Sequence, residues 1–298
     1  MEIYFMLNKN LMRKITTYIT VLFSVLVIFG SCKKEYETVE ELDNKNIKAY
    51  KEAHGNLTFT DVKGYSYTIT DAGTGSAVKN SDSVYYSYTF KSVSGTVYNQ
   101  TSDLMIPGTL LGYTNQFVIG STTYSFTPIR EVLGKLKKGG KAILLLPSRM
   151  AFGKNGLSSF GIGSNETIVV ELGLYDFSKK HEVDAYEIAT FISRNGLAFD
   201  TDASGIRYNV SAAGTGTDAI GEFSNLVVNY TGRYLDGTVF DSGTGVTFRL
   251  DQLIKGWQVI LPGRITAGGK IRIIVPSHLA YDARPLDFDI EVTSVTND

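Results

Sequence analysis

The sequence predicts an α+β protein of two tandem antiparallel half-barrels, each wrapping a short helix and preceded by a small helix. Two observations carry this class. The first is an internal repeat: residues 47–75, IKAYKEAHGNLTFTDVKGYSYTITDAGTG, align without gaps on 188–216, IATFISRNGLAFDTDASGIRYNVSAAGTG, at an offset of 141. Both copies read as helix, Gly turn, strand and Ala-Gly-Thr-Gly turn. The second is the strand pattern, in which alternating segments of five to seven residues are separated by Gly-rich turns, with one helical segment inside each copy. An immunoglobulin-like sandwich competes on composition, but the Gly-Trp helix and the G-G-K-x-x-x-x-x-P-S strand argue against it.

Taken from its start, the chain opens with an export signal over residues 1–31. Lys9, Arg13 and Lys14 precede a mostly apolar run from Ile15 to Phe29, too short for a comfortable membrane span. A start at Met12 would give MRKITTYITVLFSVLVIFGSC, the usual length of such a signal. Cys32, the one cysteine, cannot form an intramolecular disulfide, and its place after Phe-Gly-Ser is similar to a bacterial lipobox, where the Cys is diacylated and becomes the new N-terminus. The expected membrane partner is therefore reached through a lipid anchor at Cys32, on an outer-membrane lipoprotein of the bacterial cell envelope. Lys33 and Lys34 are not an acid-rich surface-export signal, which favours a periplasm-facing position.

Removal of 1–31 leaves 26 Lys and Arg against 29 Asp and Glu, a net charge of −3, so nucleic acid is not an expected partner. Residues 32–55 read as the lipid-anchored tether and a charged helix of the solvated kind, to which no chemistry is assigned. Residues 56–177 form the first repeat unit, 178–200 a linker helix and 201–298 the second unit. The register continues with VYYSYTF at 84–90 on LVVNYTG, and GTVYN at 95–99 on GTVFD at an offset of 142. GGKAILLLPSRMAFG at 139–153 then matches GGKIRIIVPSHLAYD at 268–282, at an offset of 129. The first unit thus carries about thirteen extra residues between Gln100 and Lys138. Within the segment from about Asp103 to Thr123, Leu104, Ile106, Leu110, Leu111, Phe117, Val118 and Ile119 are too many apolar residues to leave in water. They are expected to pack over their own unit's pocket or on the second unit.

The stretch 226–257, LVVNYTGRYLDGTVFDSGTGVTFRLDQLIKGW, holds the candidate site. A strand ends in Tyr230-Thr231-Gly232, Leu235-Asp236-Gly237 makes a tight hairpin turn, and Thr238, Val239 and Phe240 return. Phe240 and Asp241 are adjacent, so both border one cavity only if the strand twists or bulges there. Ile254 and Trp257, three apart, share helical spacing and can face one floor. Tyr281 follows in LAYD and Phe288 in FDIEV.

In this order and spacing, the chain resembles the FKBP-type peptidyl-prolyl cis/trans isomerases, the macrolide-binding immunophilins. That family lines its pocket with a Tyr in V-x-Y-T-G, a Phe-Asp pair after D-G-x-x, an Ile and a Trp in V-I-x-G-W, a Tyr in L-A-Y and a Phe in F-D-x-E. Each aromatic taken singly reads as core; seven matches in order across about ninety residues are specific. The resemblance implies a catalytic pocket of Tyr230, Phe240, Asp241, Ile254, Trp257, Tyr281 and Phe288. In it Trp257 is the floor beneath a proline ring, Phe240 and Phe288 are walls, Tyr281 donates its hydroxyl to a bound peptide, and Asp241 gives polar support at the rim.

The function implied is a peptidyl-prolyl cis/trans isomerase (rotamase) and folding factor for exported proteins, with prolyl-containing polypeptide segments as partners, no cofactor and no metal. The alternative is a non-catalytic peptide-binding or chaperone-like envelope lipoprotein on the same scaffold. The first unit departs from the pattern, with Tyr88 and Tyr98 in the first two places but Asn99, Ile129, Phe152 and Val170 in four others. It reads as a structural or peptide-holding unit. The second unit has lost a loop, since only seven residues lead from Tyr281 to Phe288 where the first spends eighteen from Phe152 to Val170. Activity is therefore expected in the second unit and to be low. His54, His181 and His278 have no ligand spacing, Gly-Thr-Gly at 73 and 214 is a turn, and no Ser-His-Asp or Cys-His set emerges.

Overall fold

The computed structural model describes residues 37–119 and 121–297. The signal expected over 1–31, the lipid attachment expected at Cys32 and the start of the tether lie outside the described residues. Residues Asp43–Asp298 form one compact unit. No helix among the described residues is long and apolar enough to cross a membrane.

The α+β class and the two antiparallel half-barrels are present. Helix α1 (Val39–Ala53) starts at a capping box, in which the Thr38 N–H donates to Glu41 Oε2 at 2.7 Å and the Glu41 N–H donates to Thr38 Oγ1 at 3.2 Å. The first module follows as β1 (Thr60–Val62), β2 (Tyr65–Asp71), β3 (Ser83–Ser92), β4 (Val97–Gln100), β5 (Gly108–Leu110), the small hairpin β6 (Gln116–Ile119) and β7 (Thr122–Ser125), helix α2 (Thr127–Leu133), β8 (Lys141–Leu146) and β9 (Ile168–Leu174). Helix α3 (Lys180–Arg194) leads to the second module: β10 (Asp200–Thr201), β11 (Arg207–Ala212), β12 (Asn225–Tyr234), β13 (Val239–Arg249), helix α4 (Lys255–Ile260), β14 (Gly269–Val275) and β15 (Leu286–Thr296).

The sheets have matching orders, β1-β2-β8-β9-β3-β4 with β5 also on β3, and β10-β11-β14-β15-β12-β13. Each curls around its short helix, so that Ile129, Val132 and Leu133 of α2 and Trp257 and Ile260 of α4 are buried against inward-facing strand residues. Alternation explains the burial along β14, where Ile271 and Ile273 point inward and Lys270 and Arg272 outward.

Where β13 runs unbroken beside β12, the first module splits the corresponding edge strand into β4 and β5. Its extra residues therefore come in two pieces rather than one. The offset is 142 at Asn99 and Asp241, 139 at Leu111 and Leu250, each starting a 3₁₀ turn, and 128 at Phe126 and Ile254, each just before the short helix. A small excursion at 101–107 and the β6–β7 hairpin account for the insertion. The hairpin packs Phe117 on its own module, and the excursion places Leu104 in a cluster with Ile188, Phe191, Leu235 and Ile274. Both expected destinations are used, although Leu110 and Val118 stay exposed.

Helix α1 corrects the reading of the charged helix at 32–55 as merely solvated, and α3, the linker helix, repeats its arrangement. Asp43 is 1% exposed and accepts the Ser148 N–H at 2.8 Å, the Ser148 hydroxyl at 2.8 Å and the Thr167 hydroxyl at 2.7 Å. Its repeat partner Asp184, also 1% exposed, accepts the Ser277 N–H at 2.9 Å and hydroxyl at 2.6 Å and pairs with Lys180. In each module a Pro-Ser pair ends a strand and opens a 3₁₀ turn whose first N–H has no partner within the turn. The buried carboxylate satisfies it and clamps the preceding helix to its own half-barrel.

Candidate active site

The site is built on the β12–β13 hairpin, the start of α4 and the return from Tyr281 to β15. Gly237 adopts φ 89° in the turn, as the Asp-Gly pair predicts. The bulge needed to aim Phe240 and Asp241 together is present: Gly232 pairs with Asp241 and Arg233 with Val239, leaving Phe240 as the extra residue. Ile254 is not within the helix; it is the extended residue capping α4, and the Trp257 N–H donates to its carbonyl at 3.1 Å. This turn, rather than a shared helix face, places both side chains at the cavity.

All seven residues singled out in the sequence line one cavity of about 370 Å³: Tyr230, Phe240, Asp241, Ile254, Trp257, Tyr281 and Phe288. Phe248, Gln252, Leu253 and Ala280 complete the lining and were missed. Phe248 lies further along β13 than the returning Thr238, Val239 and Phe240; its clue is the Val-Thr-Phe-Arg-Leu run that continues the strand. The rings meet edge to face, Tyr230 with Trp257 at 5.8 Å and 83°, Trp257 with Phe288 at 5.5 Å and 88°, and Phe240 with Phe288 at 5.7 Å and 85°. Such contacts fix ring orientation beyond what area burial alone supplies.

Trp257 and Phe288 are buried, Phe240 and Tyr230 are half-buried, and Tyr281 at the rim is 67% exposed. The Tyr230 hydroxyl donates to Asp241 Oδ2 at 2.7 Å, and the Ser242 N–H donates to Asp241 Oδ1 at 2.9 Å. Burial and then the bond to Asp241 push the Tyr230 hydroxyl up to about 12, so it remains a proton donor at neutral pH. The Trp257 Nε1–H is buried and has no acceptor among the described residues. The short return from Tyr281 has Asp282 at φ 60° and ends on buried Asp287, whose oxygens accept from Arg272 at 2.9 and 2.8 Å.

The same framework in the first module is filled by its own side chains. Phe90 pairs with Asn99 and Lys91 with Val97, so Tyr98 is bulged as Phe240 is. Phe126 takes the place of Ile254, while Phe90 takes that of Gly232. Phe117 from the inserted hairpin lies 5.0 Å from Tyr88 and 5.6 Å from Phe90, and Phe90, Phe117 and Phe126 are all buried. The Tyr98 hydroxyl donates to Glu166 and is pushed up to about 12, by burial first and that bond second. The space in which a peptide-holding role would be played is occupied by aromatic core.

Residues 217–295 match the family model described as FKBP-type peptidyl-prolyl cis-trans isomerase. The second module belongs to the FKBP family. Over 117 residues the chain is 37% identical to the outer membrane protein MIP of Legionella longbeachae, covering 37% of this chain and 48% of that protein. Over 108 residues it is 37% identical to the FKBP-type peptidyl-prolyl cis-trans isomerase FkpA of Escherichia coli, covering 32% and 39%. The chain thus spans about half or less of these relatives' length. A solved peptidyl-prolyl cis-trans isomerase from Pseudomonas syringae is 31% identical, with 39% of this chain and 96% of that chain covered and a TM-score of 0.34.

Proposed function

We propose that the chain is a peptidyl-prolyl cis/trans isomerase whose activity lies in the FKBP module at 201–298. The observation that carries this reading is the convergence of seven side chains from the hairpin, α4 and the return to β15 on one aromatic cavity. Rotation about an amide costs about 18–20 kcal/mol because resonance is lost at the twisted geometry, and no nucleophile or metal is needed to lower it. A water-poor cavity with Trp257 as floor and Phe240 and Phe288 as walls disfavours the charge-separated planar amide relative to the twisted one. Tyr281 supplies a hydroxyl at the rim, and the Tyr230–Asp241 pair fixes that edge. The substrates are prolyl segments of exported proteins, whose uncatalysed exchange takes tens to hundreds of seconds.

The protein is an outer-membrane lipoprotein held through Cys32 and facing the periplasm, a reading supported by the signal-like leader, the lone thiol and the name of the Legionella relative. The first module, its pocket filled, is structural. Activity is low because the seven-residue return leaves one side of the cavity open. Prolyl exchange measured on the soluble chain from residue 33 tests the proposal: acceleration that falls on Phe240→Ala supports it. Tight binding of prolyl peptides without acceleration would instead select the chaperone-like reading.

A further inference from the structure

We propose that the first module braces the catalytic wall of the second, its 101–107 excursion supporting the hairpin that carries Phe240. This rests on the isomerase reading for its effect on rate, but not for its geometry. Three contacts form the path. Leu104 packs with Leu235, which is 3% exposed in the turn that carries Phe240 on its returning strand. Met105 Sδ accepts from Arg284 at 3.4 Å, and Arg284, in the shortened return, stacks its guanidinium 3.2 Å from the Tyr234 ring centroid. Tyr234 in turn lies 5.0 Å from Phe240 at 33°.

The excursion is itself anchored on α3. The Ile106 N–H donates to buried Glu187 at 2.7 Å, and Asp103 pairs with Arg194 at 2.9 Å. The hairpin bearing Phe240 is an edge of its sheet, paired on one side only through β12, so no neighbouring strand holds its outer side. Leu104 and the Arg284–Tyr234 stack hold it from the open side. Arg284 is a positioning residue, as are Leu104 and Met105, and none of them lines the cavity.

The test uses the full soluble chain with Leu104→Ala/Met105→Ala, Arg284→Ala and Tyr234→Phe, read by prolyl exchange, by NMR of the Phe240 ring and by thermal midpoint. Loss of the half-buried Arg284–Tyr234 stack or of the Leu104 contact is expected to lower kcat/KM roughly three- to tenfold. The Phe240 ring resonances should shift in both alanine variants, whereas Tyr234→Phe, which keeps the ring, should leave rate and resonances close to wild type. Because Leu104 and Met105 belong to the other module, a shift at Phe240 on their removal has to be transmitted. If the Phe240 ring is unmoved in both alanine variants, the bracing inference is wrong, whatever the rate. If the ring moves while the unsubstituted chain shows no exchange activity, the bracing stands and the isomerase reading fails.

Discussion

Phe90 and Gly232 occupy the same point of the two half-barrels. Phe90 lies opposite Val170 and Asn99, and Gly232 opposite Phe288 and Asp241. A Cβ at Gly232 would sit 2.7 Å from Phe240 Cζ and 2.8 Å from Phe288 Cε1. In one module this position is the plug of an aromatic core, and in the other its missing side chain is what admits both walls of a cavity.

Gly232→Ala is therefore expected to displace Phe240 and Phe288 and to abolish most prolyl exchange, while overpacking costs about 1–3 kcal/mol of stability. The reciprocal change, Phe90→Ala, opens space in the first module at a cost of about 3–5 kcal/mol and leaves exchange unaltered. Exchange rates and chemical denaturation on the two variants check this; a Gly232→Ala chain of normal activity would contradict it.

Neither is activity to be gained in the first module by restoring single residues. Ile129→Trp should create no exchange activity in a chain whose second site is disabled by Phe240→Ala, because Phe90, Phe117 and Phe126 still fill the space and Asn99 and Phe152 lack the polar partners. Any recovered activity in that double variant would refute the account of the first module.

The paired helix clamps predict matched effects on stability. Asp184→Ala leaves the Ser277 N–H and hydroxyl without their charged acceptor, and Asp43→Ala does the same to Ser148 and Thr167. Each is expected to cost about 3 kcal/mol, and the two losses to add because the sites share no partner. Calorimetry showing less than about 1 kcal/mol for either would be inconsistent with a clamp.

Glu187, on α3 where the excursion docks, gives a pH signature. Burial, with neighbouring Asp184, raises its carboxyl above the ordinary 4.5, against the Ile106 N–H, Lys180 and Arg284, which lower it. A raised folded value favours the protonated form, so the stability Glu187 contributes is present below about 4.5 and is lost as pH rises through the folded value. The thermal midpoint of Glu187→Gln minus that of wild type should therefore become more positive as pH rises from 4 toward 7. A flat or falling difference would mean that the carboxyl is not raised.

Much of this architecture was legible in the sequence, because period-two strands, Gly turns and a repeat with an offset of 141 are local signals. The bulge at Phe240 was legible as a need, since two adjacent side chains had to reach one cavity. Phe90 stood above Gly232 in the aligned VYYSYTF and LVVNYTG, yet its meaning depends on ring positions contributed by two other strands. Asp43 read as part of a solvated charged helix and Asp184 was not singled out, because their partners, Ser148 and Ser277, lie about a hundred residues away. The split insertion was hidden because only β-pairing shows that β4 and β5 are one interrupted strand.

The central claim, that the second module's aromatic cavity is the catalytic site, is tested most directly by exchange NMR of a prolyl peptide with the soluble chain from residue 33 and its Phe240→Ala variant. The account predicts measurable but low acceleration of exchange in the first, and loss of it in the second with the fold retained. Equal acceleration by both proteins, or none by either, would contradict it.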